Sequence, residues 1–223
     1  MYKFSFNKPL KTYTLRQNNS NKKVILPNWY SQIEVDNHTL INDDVQIYSF
    51  RSPQTIKIGK YCSIGRCSFY VDGDHNIKYA TTFPFKELGY SKIAPENKNI
   101  KNPATIGNDV WIADEAVIYG NVNISDGVVI AGQSVITKDV PPYAVVAGNP
   151  AKIVKYRFDG KTIDLLLKLE WWNLNHEFIC KELAPIIDNV EEFIKIAKEY
   201  KYNLIIDSQS SSAKHDSKKS MEK

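Results

Sequence analysis

Residues 106–141 read IGNDVW IADEAV IYGNVN ISDGVV IAGQSV ITKDVP when written in sixes, and this stretch decides the fold. Isoleucine occupies every sixth position, and a small or β-branched residue stands four places after each isoleucine. A period of six matches neither an α-helix nor the alternation of a simple strand, so the segment is an internal repeat. It predicts a parallel β-solenoid, in which each unit of six is a strand and a turn and three units form one coil. The inward residues are Ile106, Ile112, Ile118, Ile124, Ile130 and Ile136.

The turns and the upstream sequence extend this interpretation. The same phase is present at Ile58 and Ile64, whereas Val35, Ile41 and Ile47 are spaced by six but lie one residue out of step. We expect a turn at residues 51–54 to absorb the slip. A sandwich of short strands is the alternative, but sandwich strands do not recur at a fixed spacing. Residues that tolerate turns and positive φ stand between the units; they are Gly107, Asn108, Asp109, Gly120, Asn121, Asp126 and Gly127.

The remaining sequence divides into segments around the solenoid. Residues 1–34 are expected to cap the first coil, and the solenoid should span residues 35–157. An ordered excursion loop at about 70–105 interrupts the period for some 30 residues, too rich in aromatic side chains to be disordered. Residues 158–205 form a helical appendage, with one helix from Asp159 to Leu174 and another starting at Asp188 in capping-box spacing with Glu191. The Ser- and Lys-rich tail, 206–223, is predicted to be disordered.

Composition excludes several classes of function. The net charge of +4 is modest, so nucleic-acid binding is not indicated, and the 223 residues contain no apolar run long enough to span a membrane. No signal peptide is apparent, so we expect a cytoplasmic protein without membrane insertion. Three cysteines form neither a metal motif nor a disulfide framework, and four dispersed histidines predict no metal site.

His75 is the candidate catalytic residue, because an imidazole exchanges protons near neutral pH and this one stands where the solenoid gives way to the loop. A structural histidine is the competing interpretation. Asp72 and Asp74 either orient the ring or are turn residues.

The motifs together resemble one family closely. DGDHN followed by TTFPF, then IGNDVWI, then ISDGVVIAGQSVITKDVPPYAVVAGNPAKIVKYRF and finally WWN are similar to the xenobiotic acetyltransferase branch of the hexapeptide-repeat acyltransferases, over about residues 56–175. That branch includes chloramphenicol and streptogramin acetyltransferases and many sugar O-acetyltransferases. One departure is Ala113, where the family usually has glycine.

The resemblance implies a left-handed parallel β-helix that assembles as a homotrimer, with acetyl-CoA as cosubstrate between neighbouring subunits and His75 as general base. It also implies a set of cofactor-binding residues in the later coils. These are Trp111, Ala113, Ala131 and Gly132 along a groove, and Lys138, Lys152 and Arg157 near the CoA phosphates.

The acceptor is less well determined by the sequence. Tyr70, Phe83 and Phe85, with Asp72 and Asp74, are candidate substrate-binding residues that fit a sugar or an aromatic drug. A sugar or nucleotide-linked amino sugar is our first expectation and an antibiotic the alternative, with O- and N-acetylation both open. The alternative of another class is a non-catalytic trimeric scaffold.

Overall fold

The computed structural model describes residues 32–42, 44–48, 55–71, 74–86, 88–95 and 102–221. The chain divides into two compact units, Met1–Arg157 and Phe158–Lys223. Most of the predicted N-terminal cap and the predicted turn at 51–54 lie outside the described residues. Within the described ranges, no helix combines the length and the apolar character needed to cross a bilayer.

The first unit consists of short strands that belong to three sheets. The strands are β1 (Gln32–Val35), β2 (Leu40–Ile41), β3 (Gln46–Tyr48), β4 (Thr55–Ile58), β5 (Ser63–Ile64), β6 (Cys67–Tyr70), β7 (Thr105–Ile106), β8 (Trp111–Ile112), β9 (Ala116–Tyr119), β10 (Asn123–Ile124), β11 (Val129–Ile130), β12 (Val135–Ile136), β13 (Ala144–Gly148) and β14 (Ala151–Tyr156).

The chain visits the three sheets in a fixed order. Sheet 1 has the order β1-β4-β7-β10, sheet 2 the order β2-β5-β8-β11-β13-β14, and sheet 3 the order β3-β6-β9-β12. Neighbouring strands are parallel except β13 and β14, which form an antiparallel pair. Each pass through sheets 1, 2 and 3 therefore forms one coil that stacks on the previous one, as the six-residue period predicts.

The register shows how the excursion fits this array. Ile112 pairs with Ile130, 18 residues later, which is three units of six. Ile64 pairs with Ile112, 48 residues later, so this coil contains 30 residues more than a regular one. Strand pairing resumes in phase after the excursion, and the predicted interruption of the period is confirmed.

The repeated isoleucines form the core. The eight residues predicted to point inward are at most 5% exposed, and Val35, Ile41 and Ile47 of the first coil pack against the same core. Burying one such side chain contributes about 1.5–3 kcal/mol, so the ladder is the main source of stability in this unit. The eight are Ile58, Ile64, Ile106, Ile112, Ile118, Ile124, Ile130 and Ile136.

Side chains at the corners join successive coils. The Asn108 side chain accepts a hydrogen bond from the Lys60 N–H at 2.9 Å, and that of Asp126 accepts one from the Asn108 N–H at 2.7 Å. Asp114 accepts from the Arg66 N–H in the same way. One residue in each unit of six also has a positive φ; in the later coils these are Asp109, Glu115, Asn121, Gly127 and Gln133.

The second unit is helical. Helix α1 (Gly160–Leu169) starts at an N-cap formed by Asp159 and ends where Glu170 adopts a left-handed conformation, which is earlier than the predicted Leu174. Helix α2 (His176–Phe178) leads into a wide turn at Ile179–Leu183.

Helix α3 (Val190–Met221) is capped by Asn189, whose side chain accepts from the Glu192 N–H. The predicted capping box at Asp188 is therefore wrong by one residue. The helix continues through 206–221, for which the sequence predicted disorder.

Candidate active site

His75 lies in the excursion, five residues after β6 ends, with an exposed side chain. Its Nδ1 atom is in close hydrogen-bond contact with the carbonyl oxygen of Thr82. A carbonyl oxygen can only accept, so Nδ1 carries the hydrogen and Nε2 keeps its lone pair. The ring is therefore in the tautomer that a general base requires, and Nε2 is the atom that would take the proton.

The two aspartates near His75 have different standings. Asp72 lies outside the described residues, and Asp74 is half-buried. The group in contact with Nδ1 of His75 is the backbone carbonyl of Thr82, a partner that the sequence analysis missed. Since any residue supplies a carbonyl, the identity of Thr82 gave no signal of this contact.

A column of mostly small residues follows the strands of sheet 2. The residue after each inward aliphatic side chain donates its N–H to the next coil: Gly65 to Ile112, Ala113 to Ile130, and Ala131 to Val146. These residues therefore stack one strand spacing, about 4.8 Å, apart. Their small side chains leave the backbone accessible to a long ligand. From the first coil to the last, the column is Asn42, Gly65, Ala113, Ala131 and Ala147.

The structure brings five of the seven predicted cofactor-binding residues to this part of the molecule. Trp111 and Ala113 belong to one coil, Ala131 and Gly132 to the next, and Lys152 pairs with Ala147 at the end of the column. The small residues and one cation thus lie along a single line.

A groove of about 890 Å³ lies at the low-numbered end of this column. Its register is set by Leu40, Ser63 and Trp111, which are neighbours on adjacent strands. Ser63 is the small member of this row, while Leu40 and Trp111 are 51% and 53% exposed on either side of it. Leu40 and Ser63 were missed from the sequence because their place beside Trp111 follows only from the strand register.

The other two predicted cations lie at different corners. Lys138 follows β12 in sheet 3 and is exposed. Arg157 forms a 2.8 Å salt bridge with Asp109, donates to the Gly127 carbonyl at 2.8 Å and lies over the Tyr143 ring. Burial raises the pKa of the Asp109 carboxyl, and the Arg157 guanidinium opposes this rise. Arg157 therefore has a structural role in joining the last strand to earlier coils.

The candidate acceptor-binding aromatics fall into two groups. Tyr70 is stacked between Tyr48 and Tyr119, at centroid distances of 4.5 and 5.7 Å, so it offers its edge rather than a face. Phe83 and Phe85 form an edge-to-face pair in the excursion and remain 46% and 43% exposed.

The thiols of the strand unit suit the core positions predicted for them. Cys62 and Cys67 are each 2% exposed, and burial raises their pKa values to about 11 and about 12. Thiols with these pKa values are poor nucleophiles at neutral pH. The described residues contain no group of three or more potential metal ligands.

Comparisons with known proteins are consistent on the class of enzyme. Residues 103–138 match the family model described as bacterial transferase hexapeptide (six repeats). A chloramphenicol acetyltransferase from Klebsiella aerogenes is 39% identical over 194 residues, covering 82% of this chain and 90% of that protein. A probable macrolide acetyltransferase from Lysinibacillus sphaericus is 41% identical over 150 residues, covering 65% and 79%.

Solved structures of similar proteins include a hexapeptide-repeat acetyltransferase from Vibrio cholerae O1 biovar eltor in complex with acetyl-coenzyme A. It is 28% identical, with a TM-score of 0.44, over 62% of this chain and 70% of that one.

Proposed function

Because the chain belongs to the xenobiotic acetyltransferase branch of the hexapeptide-repeat acyltransferases, and is an acetyl-CoA-dependent acetyltransferase, we propose that it acetylates a hydroxyl group of an antibiotic. The observation that carries this proposal is the relationship with a chloramphenicol acetyltransferase across 90% of that protein's length. The comparisons favour the antibiotic alternative over the sugar acceptor that was our first expectation, and chloramphenicol is the first candidate.

His75 is the proposed general base. Its Nε2 would accept the proton of the acceptor hydroxyl as that oxygen attacks the thioester carbonyl, and a backbone N–H of the loop would stabilise the oxyanion. Collapse of the tetrahedral intermediate then breaks the C–S bond and releases CoA. The hydrogen bond from Nδ1 to the Thr82 carbonyl supports this role, because it fixes the tautomer and stabilises the imidazolium that forms.

Acetyl-CoA is proposed to lie along the column that ends at Lys152. Lys152 is on β14, which pairs with β13, so it lies three strand spacings, about 14 Å, from Ala113. A pantetheine arm extended along the column would make hydrogen bonds to exposed backbone groups, with its phosphates near Lys152 and its thioester near Trp111. This orientation directs the acyl group toward the groove between Leu40 and Trp111, where the acceptor would bind.

The assembly is proposed to be a homotrimer of left-handed β-helices. The excursion has exposed apolar side chains, including Ile77 at 85% and Ile93 at 96%, which a second copy would cover. The chain has a mass of 25.5 kDa, so light scattering should give about three times this value. A monomeric mass at micromolar concentration would contradict the trimer.

Thiol release from acetyl-CoA tests the activity directly. The purified protein would be assayed with chloramphenicol, a streptogramin A, a macrolide, amino sugars, sugar nucleotides and an oligosaccharide. Release with an antibiotic supports the proposal, release with sugars alone restores the sugar reading, and release with no acceptor favours the scaffold alternative.

Substitution of His75 tests the base. His75→Ala and His75→Asn should lower kcat by about 10²–10⁴-fold with acetyl-CoA affinity nearly unchanged, since neither side chain accepts the proton. His176→Ala is the matched control, because it removes an exposed imidazole in the helical unit. A His75→Ala variant that keeps more than about a tenth of the wild-type kcat would contradict the general-base role.

A further inference from the structure

Ser134 is a polar residue in an aliphatic column. It is fully buried, and among the described residues it is the one polar side chain in the buried class. A buried hydroxyl is unfavourable unless it makes a hydrogen bond. Its place in the unit of six is the fourth after an inward isoleucine, which in the other units is occupied by Val110, Ala116, Val122, Val128 and Val140.

The hydroxyl of Ser134 accepts a hydrogen bond from the backbone N–H of Gly148 at 3.2 Å. Gly148 ends β13 and has a φ of +100°, a conformation that is essentially restricted to glycine. The turn that joins β13 to β14 thus begins at a residue whose N–H is tied to the preceding coil by one side chain.

That turn carries the upper end of the proposed acetyl-CoA column. Ala147 pairs with Lys152 across the turn, while Ala131 donates its N–H to Val146 of β13. Ser134 follows Ala131 by three residues, so its hydroxyl links two successive corners of the column. A displacement of Gly148 would change both the spacing of these corners and the position of Lys152.

We propose that Ser134 is a positioning residue for acetyl-CoA, acting through Gly148 and the turn that leads to Lys152. The inference rests on the proposed placement of the cosubstrate along this column. Ser134 touches neither substrate nor cosubstrate in this account. Its role is to hold backbone groups and a cation at the spacing that the pantetheine arm and its phosphates require.

A matched pair of substitutions separates the hydroxyl from the volume of the side chain. Ser134→Val and Ser134→Thr add the same bulk at a position where valine stands in four other units, so both should fold. Only threonine keeps a hydroxyl for the Gly148 N–H. Thermal unfolding of both variants establishes that the fold is intact.

Calorimetric titration with CoA, which needs no acceptor, measures the effect. Ser134→Val should bind CoA about three- to tenfold more weakly than wild type, as expected for the loss of one hydrogen bond, and Ser134→Thr should stay within about twofold. In the transfer assay, the valine variant should show a raised KM for acetyl-CoA with kcat and the acceptor KM unchanged.

Three results would overturn the inference. Equal CoA affinities of the valine and threonine variants would remove the role of the hydroxyl and leave the proposed function intact. A valine variant that melts early and loses acceptor and CoA affinity alike would indicate a structural role only. Failure of the wild-type protein to bind CoA would overturn the proposed site itself, and the positioning role with it.

Discussion

Gly65→Ala is the substitution for which the structure gives the sharpest prediction of stability. A Cβ atom at Gly65 would lie 2.6 Å from Oδ1 of Asp114 in the next coil and 3.0 Å from the Ile112 carbonyl oxygen. The carboxylate cannot rotate away freely, because it accepts the Arg66 N–H at 2.9 Å. The backbone cannot separate either, because the Gly65 N–H donates to Ile112 at 2.8 Å.

The expected magnitude follows from these contacts. Overpacking of this kind costs about 1–3 kcal/mol, and displacing the carboxylate weakens a hydrogen bond of about 0.5–1.5 kcal/mol. Gly65 does not have a positive φ, so alanine also restricts the unfolded chain, which contributes about 0.4–1 kcal/mol in the opposite direction. We therefore expect a net loss of about 1–3 kcal/mol in the free energy of unfolding.

A double-mutant cycle with Asp114→Gly measures the clash separately from other effects. Removing the carboxylate should allow alanine at position 65, giving a favourable coupling of about 1–2 kcal/mol. The assay is urea unfolding at one protein concentration, with Gly160→Ala as the control because a Cβ there meets nothing within 4 Å. Strict additivity in the cycle, or a Gly65→Ala variant as stable as Gly160→Ala, would refute the reasoning.

Three further predictions concern the core, one salt bridge and the thiols. Ile118→Ala should lower the free energy of unfolding by about 2–5 kcal/mol, whereas Ile93→Ala, at a 96% exposed position, should change it by less than about 0.5 kcal/mol in the same urea assay. Arg157→Ala leaves the buried Asp109 carboxylate without its counter-ion and raises its pKa further, so the variant should lose stability at pH 7. A carboxyl with a raised folded pKa favours folding when protonated, so this deficit should shrink as the pH falls toward 4 in pH-dependent denaturation. In a native thiol titration with a disulfide reagent, Cys180 should react first and the two buried thiols of the strand unit only on unfolding.

The sequence predicted the coils because their core is written with a local period. Each inward isoleucine reports its own place, and Ile64 and Ile112 remain in phase although 30 extra residues separate them. The count of six thus survives the interruption, and the position and length of the excursion follow from it. The ends of the helices were less accurate, because Glu170 and Asn189 stop and start helices through local backbone geometry that periodicity does not encode.

The contacts that define the site were not predictable in the same way. Arg157 meets Asp109 across 48 residues, and a cation near the end of the array looked equally suited to a phosphate. The small-residue column was partly visible, because Ala113 and Ala131 follow inward isoleucines. Its continuation through Gly65 and Ala147 needed the strand register, since the excursion and the end of the repeat hide the spacing.

The departure at Ala113 has a packing explanation that links these levels. Where the next coil has Asn or Asp two places after its inward isoleucine, that side chain folds beneath the residue that follows the preceding isoleucine. A Cβ at Gly65 or Gly107 would meet such a carboxylate oxygen at 2.6 Å. The coil after Ala113 has Gly132 at the equivalent place, so no side chain competes for the space. Alanine is therefore allowed at 113 for the same reason that glycine is required at 65, and the methyl group at Ala113 reflects the residue one coil later rather than a change in the ligand.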